Sequence, residues 1–518
     1  MGRYILGVDN GTTGVKAKLY DLSGNVVSHG SSEYGCIYPC PGWVEQDVGM
    51  LTAATFAALA TAVSTSGVDP REIVSVGVST QRGLHLYVGE NGQLLREGMG
   101  LSWQDARHHE QIEWMHSVIG DENFYRLTGL PISAFWPIGK IRWVQQNEPE
   151  VFARVRKVVT TQEWFLRELG ARDGWFIDWS NASLCGLMDV ERFEWSPELL
   201  AAVGLDRSQL PDIVPSGYQV GTVDRRCHEL TGLAVGTPVC TGGGDQQCAA
   251  IGAGVIRRGL CELTFGTAGN AVAYLDAPVR DPHRIVTCSA HATPTQGWEA
   301  EGIQAAAGAS YRWFRDHVGY LAKHLDASAQ LDPYALINGL AARAPVGSDG
   351  LIFMPYLAGS MTPHYDSYAQ GAFIGLTLKH DTGSMARAVL EGVAFEAKDV
   401  LDAYAHIDLD LQEIRLAGGA TKSPLWCQIQ ADVYGRPTAV LREGECAVLG
   451  AALLGAVGAG VFNSVEEACD ATVQKLRTFV PDAGAHRKYR ELHAIFKDCY
   501  AALKQMYVYR RLNAFRTS

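Results

Sequence analysis

The chain has 518 residues, 56 of them acidic against 44 basic, for a formal net charge of -12 with histidine neutral. That length exceeds one ordinary core and implies two large domains, while the acidic balance and the lack of any dense Lys/Arg run argue against nucleic acid and favour a small-molecule partner. No apolar stretch approaches the ~20 residues that span a bilayer and the opening residues carry no signal-peptide h-region, so no membrane partner and a cytoplasmic location are expected. The twelve cysteines sit in apolar contexts without CxxC spacing and read as buried, reduced thiols. Cys36 and Cys40 are the one close pair, weak evidence for a metal.

In chain order, residues 5–19 read as a buried strand, a turn Asp9-Asn10-Gly11-Thr12-Thr13-Gly14 and an alternating strand. Asp-Asn-Gly is common turn chemistry, so Asp9 alone decides nothing. A strand over 26–34, a helix over about 47–66, and strands over 73–79 and 84–88 follow, the alternation of an α/β sheet. A strand over 237–241 then ends in Gly242-Gly243-Gly244, with Asp245 opening a helix. Such a carboxylate is either a cap or, in a cleft, a group able to orient a hydroxyl and take its proton. Residues 262–275 repeat the opening pattern, with Gly266-Thr267-Ala268-Gly269 falling on Gly11-Thr12-Thr13-Gly14. Two such turns facing each other across a cleft suit a polyphosphate: glycines admit close approach, amides point inward, and Asp9 would hold Mg2+. The domain boundary is placed near 255.

A third glycine turn, Gly418-Gly419, lies between a strand at 413–416 and a helix with Ser423 as N-cap and Pro424 at its first position. Residues 447–455 are small and apolar on every face, as for a helix packed tightly on its domain.

The series DNGTTGVK, GGGDQQ, FGTAG and LAGGATKSPLWCQIQAD, in that order, resembles the FGGY carbohydrate kinases over residues 4–496. Residues 135–144, FWPIGKIRWV, look like one family signature and 371–391 like the other, with Ser384 departing where an acid, amide or histidine is usual. The resemblance implies an α/β fold of two actin-like, ribonuclease H-type domains around a central cleft: 1–255 for sugar and base, 256–518 for ATP. It makes Asp245 the catalytic base, with Gln81, Arg82, Trp103, Asp105 and Gln246 on the sugar side and Asp9 near Mg2+. Thr12, Thr13, Lys16, Gly266 and Thr267 would surround the ATP phosphates, and Gly418, Gly419 and Lys422 the rest of the nucleotide.

Residues 353–364, ending Thr-Pro-His, and Trp103-Gln104-Asp105-Ala106-Arg107 are similar to the xylulokinase branch. Gln81-Arg82-Gly83 is not: that branch usually has Gln-Met-His-Gly here, and Gln-Arg looks more like glycerol kinase, although Gly83 replaces the acid that follows there. Arg82 is expected to reach the cleft and donate to sugar hydroxyls. The activity implied is ATP-dependent phosphorylation of the terminal hydroxyl of a ketopentose such as D-xylulose. Glycerol or another polyol or ketose is the alternative acceptor, an actin- or chaperone-like ATPase the alternative class, and a homodimer an open option.

Overall fold

The computed structural model describes residues 3–319 and 332–517; Met1 and Gly2, part of the opening stretch read above, lie outside them. In the first half, the strand Tyr4–Asn10 pairs antiparallel with Gly14–Asp21, which pairs antiparallel with Val26–Glu33. On its other side Tyr4–Asn10 runs parallel to Ile73–Thr80, and that strand parallel to Pro238–Gly244. The second half repeats this arrangement. Leu260–Phe265 is antiparallel to Gly269–Leu275, which is antiparallel to Trp298–Gln304. Leu260–Phe265 is also parallel to Glu413–Gly418, itself parallel to Thr438–Leu441. The echo between Gly11–Gly14 and Gly266–Gly269 is therefore an echo of topology as well as of sequence.

Local chemistry explains the element ends. The helix Val48–Ser64 starts where the Asp47 side chain accepts from the amides of Gly49 and Met50, satisfying two donors that the first turn leaves open. Ser423 caps Pro424–Tyr434 through the amide of Trp426. The strand read over 84–88 forms as His85–Val88, in a smaller sheet with Glu45–Asp47, Met99–Leu101 and Lys157–Thr160. Glu45–Asp47 aside, that sheet belongs to an insertion between Ile73–Thr80 and Pro238–Gly244, with its own core around Phe124, Trp136, Leu187 and Trp195.

The helix Cys446–Gly458 corrects one expectation. It does not close on its own half; Val448, Leu449 and Ala452 pack with Ile5 of the first sheet. Gly7 and Gly77 make this possible: a Cβ on Gly7 would sit 2.1 Å from Val448 O, and one on Gly77 1.9 Å from Ala451 O. Reciprocally, the helix Asp245–Gly252 follows the last strand of the first sheet but buries Ala249 and Ala250 against Leu260, Val272 and Ala417 of the second. Where the two helices cross, a Cβ on Gly252 would meet Cys446 O at 1.9 Å and one on Gly450 would meet Cys248 O at 1.9 Å. Small residues all round are needed because backbone closes on both faces. Every cysteine is free and nine of the twelve are buried, and among the described residues no helix is long and apolar enough to cross a membrane.

Candidate active site

Register brings the candidate residues together. Asp9 pairs with Ser79 and Asn10 with Thr80, while Ser79 and Thr80 pair with Gly243 and Gly244. Asp9, Arg82 and Asp245 thus lie at or just beyond the C-terminal ends of three adjacent parallel strands, the edge where α/β sheets place ligands. The Ser79 hydroxyl donates to Asp9 Oδ1 at 2.7 Å. Asp245 Oδ1 receives the Gln246 amide at 2.8 Å and Arg82 Nε at 3.1 Å. Its side chain stays 24% exposed, open to a ligand. The remaining Arg82 nitrogens cross to the second half: Nη1 meets Glu301 Oε2 and Nη2 meets Glu301 Oε1, each at 2.7 Å. Arg82 reaches the cleft as expected, but its fork is engaged by Glu301 and Asp245 rather than left open.

Burial pushes the Asp245 carboxyl up against the pull of Arg82. Burial, then the neighbouring Asp245, pushes Asp9 up to about 6. Burial works against the Arg82 charge too, yet Glu301 and Asp245 hold its proton more tightly than usual. Glu301 was not singled out from sequence, nor were two further acids. Glu262 and Glu299 are fully buried beside Glu301, and burial first, Glu301 adding to it, pushes each up to about 8. Glu299 accepts from Ser289 Oγ at 3.0 Å and from Gln247 Nε2; Glu262 accepts from Thr264 Oγ1. The available signal was Trp298-Glu299-Ala300-Glu301, two acids at strand period whose face turns inward.

The two glycine turns are held differently. Gly11 N donates to Gly14 O at 3.0 Å. Around it Trp103 Nε1 reaches the Thr12 hydroxyl at 2.9 Å, Gln46 Nε2 the Thr12 carbonyl at 2.7 Å, and the Tyr34 hydroxyl the Gly11 carbonyl at 2.7 Å. Thr13 O accepts the Tyr34 amide. Gln81 is buried and donates to Gln46 at 2.9 Å, so it braces the hairpin through Gln46. Asp105 is buried and takes up Arg107 and the Val44 amide. Gln246 keeps its Oε1 buried without a hydrogen-bond partner among the described residues.

In the second turn Gly266 N donates to Ala268 O at 3.0 Å, Gly266 O accepts Gly308 N at 2.9 Å, and Thr267 O accepts Ala309 N at 3.2 Å. Arg312 reaches the Thr267 hydroxyl at 2.9 Å. Phe265 pairs with Gly418, which brings the third glycine turn alongside. Gly418 has φ +77 and no room for a Cβ, 2.7 Å from Phe265 O, whereas Gly419 faces open space. Lys422 is exposed, and Lys16 pairs with Glu445 of the second half at 2.7 Å. Asp9 offers carboxylate oxygens with Lys16 as the cation acting on it, hard-donor chemistry that fits Mg2+.

Duplicated ribonuclease H-type halves, each with a glycine-threonine hairpin beside its central strand and a carboxylate at the junction, define an actin-like two-domain fold. Models of the FGGY family of carbohydrate kinases match the chain at residues 4–252 for the N-terminal domain and 262–459 for the C-terminal domain. The chain belongs to that family. It is 28% identical to the xylulose kinase of Bacillus subtilis, over 97% of this chain and 98% of the relative. It is 30% identical to the autoinducer-2 kinase of Escherichia coli, over 94% and 92%. The ligand-bound xylulose kinase of Lactobacillus acidophilus superimposes with a TM-score of 0.87 at 26% identity, covering 97% of this chain and 98% of that one.

Proposed function

We propose that the protein transfers the γ-phosphoryl group of ATP to the terminal hydroxyl of a ketopentose, D-xylulose giving D-xylulose 5-phosphate. The observation that carries this reading is the partly exposed Asp245 carboxylate at the helix start between the halves, beside Asp9 and Arg82. Asp245 orients the acceptor hydroxyl and takes its proton as the bond to phosphorus forms. Asp9 is the residue that would hold Mg2+, which when bound offsets charge on the transferring phosphate. Amides of the Gly11–Thr13 and Gly266–Thr267 turns receive phosphate oxygens, and Gly418-Gly419 gives the adenosine room. Residues 1–255 bind the acceptor and 256–518 the nucleotide, with Gln246 and Trp103 nearest the sugar and Lys16 and Lys422 flanking the nucleotide. Closure excludes water until the acceptor is bound.

A different hydroxylated acceptor is the second reading, supported by Gln81-Arg82-Gly83 and by the comparable likeness to an autoinducer-2 kinase. Against a glycerol-kinase pocket stands Gly83: its φ is +75, and a Cβ there would meet Phe135 O at 3.0 Å, so an acidic side chain is strained. A cytoplasmic setting without nucleic-acid or membrane partners suits either acceptor. A coupled ADP-release assay over D-xylulose, other ketoses, glycerol and autoinducer-2 tests the choice. Strong stimulation by D-xylulose alone supports the ketopentose; stimulation by another compound moves the acceptor; ATP turnover indifferent to all of them returns the protein to the actin-like ATPase class.

A further inference from the structure

Glu301 belongs to the second half, yet its carboxylate is committed to the first. The strand Trp298–Gln304 turns Glu299 and Glu301 to one side, in register with Ser289 and Thr287. There the Glu301 side chain is only 1% exposed. Its two oxygens take both terminal nitrogens of Arg82 at 2.7 Å, a paired geometry that fixes the guanidinium plane as well as its place. With that plane fixed, the third nitrogen, Nε, lies 3.1 Å from Asp245 Oδ1. A half-buried arginine with two acids to serve has a defined orientation only because one of them grips it at two points.

Resting on the reading of Asp245 as the base, we infer that Glu301 is a positioning residue for the phosphoryl transfer: it sets the Arg82 guanidinium against Asp245, so that the base is in place only when the second half has brought Glu301 over it. Asp245 is faced by Arg82 from the end of the fourth strand, Asp9 from the first, Glu301 from the second half and Cys248 on its own helix. Arg82 is faced in addition by Glu299, and Glu301 by Glu262.

This array gives the proposal a sign. If Glu301 acted only as a nearby charge, removing it would leave Arg82 in place and make Asp245 easier to ionise, since Glu301 pushes Asp245 up. If it positions Arg82, removing it frees the guanidinium from Asp245, and the base becomes harder to ionise.

The test is Glu301→Gln in the full chain, assayed with MgATP and D-xylulose or whichever sugar of the panel turns over. The expected result is a kcat lower by about 10²-fold, a nearly unchanged KM for ATP, and an acid limb of the kcat profile moved to higher pH. Glu301→Asp, which keeps the charge one methylene short, should recover part of both. An acid limb that stays or moves to lower pH, with kcat near wild type, overturns the inference. Thermal unfolding checks the fold; if the glutamine variant does not fold, Arg82→Lys carries the same test. A single ammonium cannot span Glu301 and Asp245 together, so it too should raise the acid limb, and an unmoved limb overturns the proposal. Asp245→Asn separates the two ideas. Retained turnover there removes the base itself, whereas an inactive Asp245→Asn beside a normal profile in the Glu301 variants removes the positioning role alone.

Discussion

The two glycine-threonine hairpins share a topology and differ in what surrounds them. The first is bounded by Asp9 and braced by side chains from elsewhere: Trp103 and Gln46 on Thr12, Tyr34 on Gly11. The second has Thr264 at the place of Asp9, and its main ties are backbone bonds from Gly308 and Ala309. A duplicated element has thus been specialised by its neighbours. The first turn is tuned by exchangeable side chains and carries a carboxylate, whereas the second is a generic cradle built from main chain.

The strongest way to break this division of labour is Asp245→Asn. Loss of the proton acceptor should lower phosphorylation by ~10²- to 10⁴-fold, with nucleotide binding by calorimetry and thermal unfolding near wild type. Retained turnover would place the chemistry elsewhere. Asp9→Asn should come next: a requirement for more Mg2+, partly met by excess metal in a kinetic titration. In the unaltered protein the same carboxylate must be ionised to bind a cation. Since its value lies at about 6, apparent Mg2+ affinity should be level above pH 7. It should weaken by about tenfold at one pH unit below that value. A Mg2+ titration that does not change between pH 5 and 8 would separate Asp9 from the metal.

Smaller effects sharpen the comparison between the turns. Trp103→Phe removes the indole donor that reaches the Thr12 hydroxyl while keeping most of the ring's contact with Phe135, stacked at 5.4 Å between centroids. A single net hydrogen bond suggests a loss of about 2- to 12-fold in kcat/KM. Arg312→Ala at the second turn should matter least, because the ties to the backbone remain; a KM for ATP raised by no more than about fivefold is expected. If Arg312→Ala were the more damaging of the two, the second turn would depend on side chains after all.

Much of this was legible in the sequence because it is local. Asp47 and Ser423 announce their helices, and the glycine turns mark the strand ends. GGGD places a carboxylate where a strand meets a helix. What sequence did not show is what depends on distance. The Arg82–Glu301 pair joins residues 219 apart, and no local pattern marks an acid as the partner of an arginine in another sheet. Nor does a resemblance show which local partner a side chain takes. Asp105 sits in a motif read for sugar contacts, yet in the structure it holds Arg107 and the Val44 amide. The helix Cys446–Gly458 was recognisable as buried from its lack of polar residues, but composition cannot say which sheet buries it. That depended on Gly7 and Gly77, two bare positions in distant strands.

The exchange of closing helices bears on how the molecule comes to be made. As the chain leaves the ribosome, the face of the first sheet that carries Ile5, Gly7 and Gly77 waits for Cys446–Gly458, which is synthesised near the end. Meanwhile the helix Asp245–Gly252 is finished before the sheet that will receive it exists. The first half therefore cannot reach its final packing during its own translation, and a chain stopped between the halves would lack a layer that only the second half supplies. Final packing of the first half is thus tied to the making of the second, and the seam between the two lobes is built from pieces that each supplies to the other.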